Sequence, residues 1–164
     1  MDFLTFSSLS DDLFNNNLFD IEESSSSTDT FDLFTGSSIN TQIVGTAESS
    51  ITINTNDSYN KTIITGDGND YISAGLGNDT ITAGSGSDTF AFNSPFEGVD
   101  TITDFSIQQD DKLQISGAGF GIGKNDFNRF TYDPATGGFY FDTTQLATLP
   151  LNLSFEQTTN IIIV

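Results

Sequence analysis

The sequence predicts an all-β fold in which short strands stack into two facing parallel sheets. Three observations lead to this prediction: a nine-residue repeat, an apolar residue at a fixed place in each unit, and a turn-rich composition. The chain has 164 residues, enough for one domain, and contains 15 Gly, 3 Pro and no Cys. Together with abundant Thr, Ser and Asn, this composition is typical of all-β proteins with many turns.

The repeat runs from Gly66 to Ala91 and places Gly, Gly and Asp at the same positions in each unit. An apolar residue follows two places after each Asp, so a six-residue turn alternates with a three-residue strand. The middle side chain of such a strand points away from its two neighbours. We therefore expect one narrow core, with successive turns on alternating sides and turns two units apart stacked. The core residues of the three units are Ile72, Ile81 and Phe90.

The turns have the chemistry of a calcium site. Two glycines separated by one residue allow positive φ, so that several carbonyl oxygens can point to one side. The Asp that closes each turn adds an anionic oxygen. Because Ca²⁺ takes roughly six to eight oxygens, two stacked turns can bind it where one turn cannot. A flexible Gly/Asn/Asp-rich linker is the alternative, but a linker would not keep this register through three units.

The segment resembles the nonapeptide repeats of the RTX, or haemolysin-type, calcium-binding family, over about 27 residues. The resemblance implies a right-handed parallel β-roll. It also implies carboxylate ligands from Asp70, Asp79 and Asp88, and carbonyl ligands from the paired glycines. Those glycines are Gly66, Gly68, Gly75, Gly77, Gly84 and Gly86. The family usually has Gly at the first position of each unit, where this chain has Thr65, Ala74 and Ala83, which weakens the carbonyl geometry at those places.

Degenerate rungs are predicted on both sides of the repeat, because terminal repeats cap an open core and are atypical. Ile63 and Val99 fall in the same nine-residue register as the core residues. On the N-terminal side, Lys61 stands where the Asp belongs and its unit lacks both glycines. We therefore expect no full calcium site there.

The segment that follows the repeat, residues 93–105, resembles the segment that ends the roll in the family. It contains Glu97, Asp100 and Asp104. These acids either complete the last calcium site opposite Asp79 or form a solvated edge. Further along, residues 127–142 predict an antiparallel hairpin around a turn that contains Pro134 and two glycines.

The chain thus divides into three predicted regions. Residues 1–38 form an acidic segment rich in Phe and Ser, whose composition favours disorder and whose repeated Phe indicates docking on a neighbouring subunit. Residues 39–104 form the roll, with core repeats at 65–91. Residues 105–164 form a C-terminal β cap.

The charge balance narrows the function further. The net charge is −19, from 23 acidic and 4 basic residues, so a cation that binds only the folded state is expected to stabilise it. The few basic residues do not cluster, which argues against nucleic acid and anionic lipid as partners. No His or Cys is present, which removes Ser-His-Asp and Cys-His catalysis, and carboxylate pairs arise by chance among so many acids. We therefore expect a protein that is not an enzyme.

The ends of the sequence bear on its export. The start lacks a signal-peptide pattern, and no apolar run is long enough to span a membrane. Residues 158–164 resemble the uncleaved C-terminal signals of type I secreted RTX proteins, which implies export by the type I secretion machinery and folding outside the cell in calcium. The alternative is that residues 161–164 form a final buried strand, and both interpretations can hold.

These features lead to one main hypothesis and two alternatives. The main hypothesis is a secreted calcium-binding structural or surface protein that forms a homo-oligomer or polymer, as a fibre, sheet or coat. The first alternative is a monomeric calcium-binding module that supports secretion or adhesion. The second is a small carbohydrate-active protein that uses aromatic and acidic residues of the C-terminal half.

Overall fold

The structure is a computed structural model that describes residues 18–21, 28–33, 41–47, 50–55 and 58–164. Strands dominate these residues, and the predicted all-β class is confirmed. The strands are β1 (Leu18–Ile21), β2 (Thr28–Leu33), β3 (Thr41–Ala47), β4 (Ser50–Thr55), β5 (Lys61–Gly66), β6 (Tyr71–Ser73), β7 (Thr80–Thr82), β8 (Thr89–Phe92), β9 (Asp100–Ile102), β10 (Lys112–Ile115), β11 (Phe130–Tyr132), β12 (Gly138–Phe141), β13 (Thr144–Thr148) and β14 (Ile161–Ile163). Two one-turn helices, α1 (Gly117–Phe120) and α2 (Gln157–Asn160), and two 3-10 turns, Ile107–Gln109 and Phe127–Arg129, connect the later strands.

The strands form two sheets between which the chain alternates. The first sheet has the order β1-β3-β5-β7-β9-β13-β12-β11, and the second has the order β14-β10-β8-β6-β4-β2. From β1 to β8 each strand pairs in parallel with the strand two places further along the chain. We call one strand with the turn that follows it a rung.

The core inside the repeats is the predicted one. Ile72, Ile81 and Phe90 are at most 2% exposed, because these side chains point between the sheets. Equivalent residues meet across rungs, as Ile63 pairs with Ile81 and Ile72 with Phe90. The expected narrow core is therefore present, and it also includes residues two places later, such as Phe92.

The nine-residue register wrongly predicts Val99 as a core residue. Ile81 pairs with Ile102, which is 1% exposed, whereas Val99 is 37% exposed in the preceding turn. The turn between β8 and β9 contains Pro95 and is longer than the repeat turns, so the next strand begins later in the sequence. A fixed period cannot anticipate such an insertion.

The predicted C-terminal hairpin is confirmed. β11 and β12 pair antiparallel, with Phe130 opposite Phe141. β13 then returns antiparallel to β12 and parallel to β9, which joins the hairpin to the first sheet. The Phe130 and Phe139 rings stack at 5.8 Å between centroids, and both residues are fully buried. The aromatic residues of this region thus close the end of the core.

The last residues form the predicted buried strand. β14 pairs in parallel with β10, Leu113 opposite Ile161 and Ile115 opposite Ile163. Ile161 and Ile163 are buried, while Ile162 between them is exposed. The secretion signal at this end stays a prediction.

Strand pairing also continues into the N-terminal region. β1 pairs with β3 and β2 pairs with β4, so the two sheets extend to both sides of residue 39. The predicted docking of residues 1–38 on a neighbour concerns, for the most part, residues outside the described ranges, and it stays a prediction.

The register assignment makes a stability prediction. Ile102→Ala should cost about 2–5 kcal/mol of unfolding free energy, because it leaves a cavity in a narrow core. Val99→Ala removes a partly exposed side chain and should cost no more than ~0.5 kcal/mol. Chemical denaturation in saturating calcium measures both variants. Equal losses would mean that the assigned register of β9 is wrong.

Candidate metal centre

The turns form two stacked columns, as the sequence predicts. The first column contains turns 66–70, 83–88 and 103–111, which lead from the first sheet to the second. The second column contains turns 58–60, 74–79 and 93–99, which lead back. Backbone hydrogen bonds join turns of one column: Gly68 N–H donates to Ser85 O at 2.8 Å, and Gly77 N–H donates to Glu97 O at 2.7 Å.

A ladder of Asp carboxylates runs along the inside of each column. In the first column, the amide of Asp70 donates to Asp88 Oδ1 at 2.9 Å, and the amide of Asp88 donates to Asp111 Oδ1 at 2.9 Å. In the second column, the amide of Lys61 donates to Asp79 Oδ1 at 2.7 Å, and the amide of Asp79 donates to Asp100 Oδ1 at 2.9 Å. Each carboxylate thereby fixes the distance to the rung before it.

In Asp70 and Asp88, one carboxylate oxygen accepts from the backbone of the preceding rung and the other does not. Asp70 is 2% exposed and Asp88 1%, and their Oδ2 atoms are buried with no hydrogen-bond partner among the described residues. A buried charged oxygen without a partner is costly unless a cation compensates it. The first column therefore has the donor atoms and the electrostatic need for a bound cation.

The glycine carbonyls of one turn lie directly against the glycines of the next turn in the column. A Cβ added at Gly84 would lie 1.9 Å from Gly66 O, and one added at Gly86 would lie 1.7 Å from Gly68 O. Gly84 and Gly86 also have φ of 93° and 136°, which L side chains rarely adopt. Carbonyl oxygens of one turn thus pass directly over the next turn, and only glycine leaves the space.

The acids alone do not make a metal site. Within residues 50–55 and 58–164, no three acidic side chains converge with the spacing of metal ligands. Most ligands must therefore be backbone carbonyls, which suits Ca²⁺ because it accepts carbonyl oxygens in a tolerant geometry. The residues present fit calcium.

Burial perturbs the acids of both columns. It raises the pKa of Asp88 to about 7, opposed by the Asp70 amide and reinforced by the charge of Asp111. It raises the pKa of Asp100 to about 8, with the charges of Asp79 and Glu97 adding to the rise. The pKa values of Asp70, Asp111 and Glu97 are raised too, in each case chiefly by burial.

The three acids after the repeat do not form one site. Asp100 continues the second-column ladder at Asp79, and Glu97 lies in the same column, where its carboxylate accepts from the Asn93 amide. Asp104 lies in the first column, where its carboxylate accepts from the amides of Ala83 and Gly84. The expectation that all three meet opposite Asp79 is corrected, because β9 separates Asp104 from the other two and the chain changes sides.

Asp111 was missed as a site residue. It is 1% exposed and ends the first-column ladder, with its Oδ2 accepting from the Ser106 amide. The indication in the sequence was local: Asp111 precedes the core residue Leu113 by two places, as Asp88 precedes Phe90. It lies 23 residues after Asp88 instead of the 18 between Asp70 and Asp88, which hid it from a nine-residue count.

The second column begins differently from the first. Lys61 occupies the ladder position predicted for Asp, and its ammonium lies 3.4 Å from Asp79 Oδ1 with both side chains fully buried. Lys61, which the sequence places where Asp belongs, therefore also takes the position of an Asp in the second-column ladder.

Comparison with known proteins agrees with this geometry. The family model of the RTX calcium-binding nonapeptide repeat matches residues 56–90 in four copies. The match includes the unit of Lys61 besides the three complete units. Such repeats imply calcium binding. The searches of curated proteins and of solved structures found no match. Among the residues that the structure describes, none of the helices has the length and hydrophobicity of a membrane span.

Neutralising one buried carboxylate should weaken calcium binding. Asp88→Asn removes the anionic oxygens between turns 66–70 and 83–88, and we expect calcium affinity at this site to fall about tenfold or more, equivalent to ~1.4 kcal/mol. Asp67→Asn is the matched control, since Asp67 is exposed in the same column and the charge change is identical. Isothermal titration calorimetry measures both. Equal effects would show that the carboxylate ladder does not bind the ion.

The metal-free protein should be more stable in mild acid. The pKa of Asp88 rises from 3.8 to about 7 in the folded chain, so folding favours the protonated carboxyl. This contribution is complete below about pH 4 and is lost as the pH rises through about 7. The folded fraction in chelator, measured by circular dichroism, should therefore be greater at pH 5 than at pH 8. The opposite order would contradict the burial of these acids.

Proposed function

Residues 56–90 are RTX calcium-binding nonapeptide repeats, and on that basis we propose that this protein is a secreted structural or surface protein that folds on calcium binding and associates with further copies of itself. In this proposal the two parallel sheets are a right-handed β-roll. The observation that carries its calcium-dependent folding is that the Oδ2 atoms of Asp70 and Asp88 are buried with no hydrogen-bond partner among the residues that the structure describes.

The calcium ligands in this proposal come from both columns. Asp70 and Asp88 supply carboxylate oxygens to the first column, where Asp111 continues the ladder. Asp79 and Asp100 supply them to the second, with Glu97 beside them. The paired glycines supply carbonyl oxygens, namely Gly66, Gly68, Gly75, Gly77, Gly84 and Gly86. Calcium, when bound, compensates the buried negative charge that the fold brings together.

Coupling of calcium to folding follows from the charge of the chain. A net charge of −19 opposes compaction, and burial raises the pKa of several acids, so ionised carboxylates favour the unfolded state. Each calcium ion that binds only the folded state adds about 1.4 kcal/mol of stability for every tenfold excess over its dissociation constant. In low calcium the chain should stay expanded, which suits export before folding.

Association with further copies is supported by the ends of the sheets and by one exposed surface. β14 is the last strand of the second sheet, and such an edge can add a strand from another chain. The exposed surface is on the second column and consists of Leu76, Phe96 and Val99, with Phe96 82% exposed. The Val99 amide donates to Asn78 Oδ1, and this bond holds the two turns together. A second copy carries the same negative charge, so calcium should be required for association.

The proposal is non-catalytic. The sequence has no His and no Cys, and the buried acids are taken up by the ladders. The buried aromatic residues of the C-terminal half pack on one another, as Phe130 does on Phe139, which favours a core role over a sugar-binding surface.

The test is sedimentation velocity of the full chain, in chelator and then in millimolar calcium. We expect a slow, expanded species in chelator and large, chelator-reversible assemblies in calcium. A compact monomer in calcium would support the monomeric module instead. A species that is equally compact in both conditions would contradict calcium-coupled folding.

A pair of variants tests the exposed surface. Phe96→Ser should reduce assembly in calcium because it removes the most exposed large apolar side chain of the second column. Leu151→Ser is the matched control, since Leu151 is 56% exposed in the C-terminal cap. The assembled fraction by sedimentation should fall for the first variant and stay unchanged for the second. Equal behaviour would exclude this surface from the contact.

A further inference from the structure

The side chain of Lys61 is fully buried in a chain that has only four basic residues. Its Nζ donates to Tyr59 O at 2.6 Å and to Leu76 O at 3.0 Å, and lies 3.4 Å from Asp79 Oδ1. Two backbone carbonyls from successive turns of the second column and one carboxylate thus surround the ammonium. These are the ligand types that calcium uses in stacked turns.

The same three positions recur one rung further along the column. Lys61, Asp79 and Asp100 are successive members of the ladder, because each amide binds the Oδ1 of the next. Tyr59 O faces Gly77 as Gly77 O faces Gly98, with an added Cβ at 2.6 Å and 1.8 Å respectively. Leu76 and Glu97 are both three places before the ladder Asp. The carbonyls and the carboxylate at Lys61 therefore correspond to those of Gly77, Glu97 and Asp100.

The charge of the rung supports the same correspondence. The first column begins with Ile51, whose amide donates to Asp70 Oδ1, whereas the second begins with Lys61 and so gains a positive charge at this position. A lysine ammonium is a compact cation on a flexible stem, and here it donates to two carbonyl oxygens. It can compensate the buried Asp79 carboxylate, which a neutral side chain cannot.

We propose that the ammonium of Lys61 takes the place of a calcium ion between turns 58–60 and 74–79, as a cation tethered to the chain. This inference rests on the proposed calcium sites of the neighbouring rungs. It means that the first described rung of the second column needs no calcium, and that the repeats beyond it can stack on a rung whose cation is always present. The protein then binds one calcium ion fewer than the number of stacked turn pairs implies.

The test compares Lys61→Asp with Lys124→Asp. Lys124 is exposed in the C-terminal cap, so the second variant has the same change of charge at a residue outside both ladders. Calcium titration of the full chain gives the number of bound ions. The dependence of the melting temperature on calcium concentration gives an independent count, because its slope reports the ions taken up on folding.

We expect Lys61→Asp to bind one more calcium ion than wild type and to show a steeper calcium dependence, while Lys124→Asp matches wild type in ion number. If Lys61→Asp folds in calcium and binds the wild-type number of ions, the inference is wrong. If wild type itself binds no calcium, the proposed function fails instead, so the two failures are distinguishable.

A second variant covers failure of Lys61→Asp to fold. Lys61→Ala removes both the stem and the charge, so the position is left without a cation and with space for one. We expect a lower melting temperature than wild type, with a deficit that shrinks as calcium rises from micromolar to millimolar because the ion can then enter from solution. Lys124→Ala should show no deficit. A deficit of constant size at all calcium concentrations would reduce Lys61 to a packing role and overturn the inference.

Discussion

The carboxylate ladder is the constraint on which the rest of the structure depends. Each ladder Asp uses one oxygen to bind the amide of the preceding rung, which sets the stacking distance and keeps the column in register. The same bond turns the second oxygen of Asp70 and Asp88 into the protein, away from water. A buried anionic oxygen needs a cation. The interaction that holds the rungs together therefore also creates the requirement for a cation, which is the basis of the proposed coupling between folding and calcium binding.

The core between the sheets is narrow, so the repeats depend on the ladder as well as on apolar packing. In the repeats each rung contributes little more than one middle side chain, such as Ile72 or Ile81, plus small neighbours such as Ala83. The larger apolar mass lies in the C-terminal cap, where Phe130, Phe139 and their neighbours close the open end. The cap is thus stabilised by apolar packing, whereas in our proposal the repeat region also needs calcium.

The ladder tolerates changes in the turns as long as the Asp position is kept. Asp79 and Asp100 are 21 residues apart and Asp88 and Asp111 are 23 apart, yet both pairs make the same 2.9 Å bond as Asp70 and Asp88, which are 18 apart. The additional residues lengthen the turn and do not change the stacking of the ladder positions. At the other end, Lys61 keeps the backbone bond of the ladder and, by our inference, replaces the ion with its own charge. The length of a turn and the kind of cation, calcium or lysine, can therefore vary. The backbone hydrogen bond of the ladder is the part that stays the same.

The sequence alone determined the local unit: the turn, the closing Asp, the core residue two places later, the stacking of alternate turns and the C-terminal hairpin. These follow from spacing within a few residues, because φ at glycine and the period of a strand are local properties. The tertiary structure alone decided which distant residues share a column. It placed Ile102 rather than Val99 in the core, put Asp104 on the opposite side from Asp100, added Asp111 to the ladder and set Lys61 beside Asp79. The nine-residue period does not predict the length of an individual turn. The partners of a charged side chain lie on the neighbouring rung, so they are defined only once the rungs are stacked.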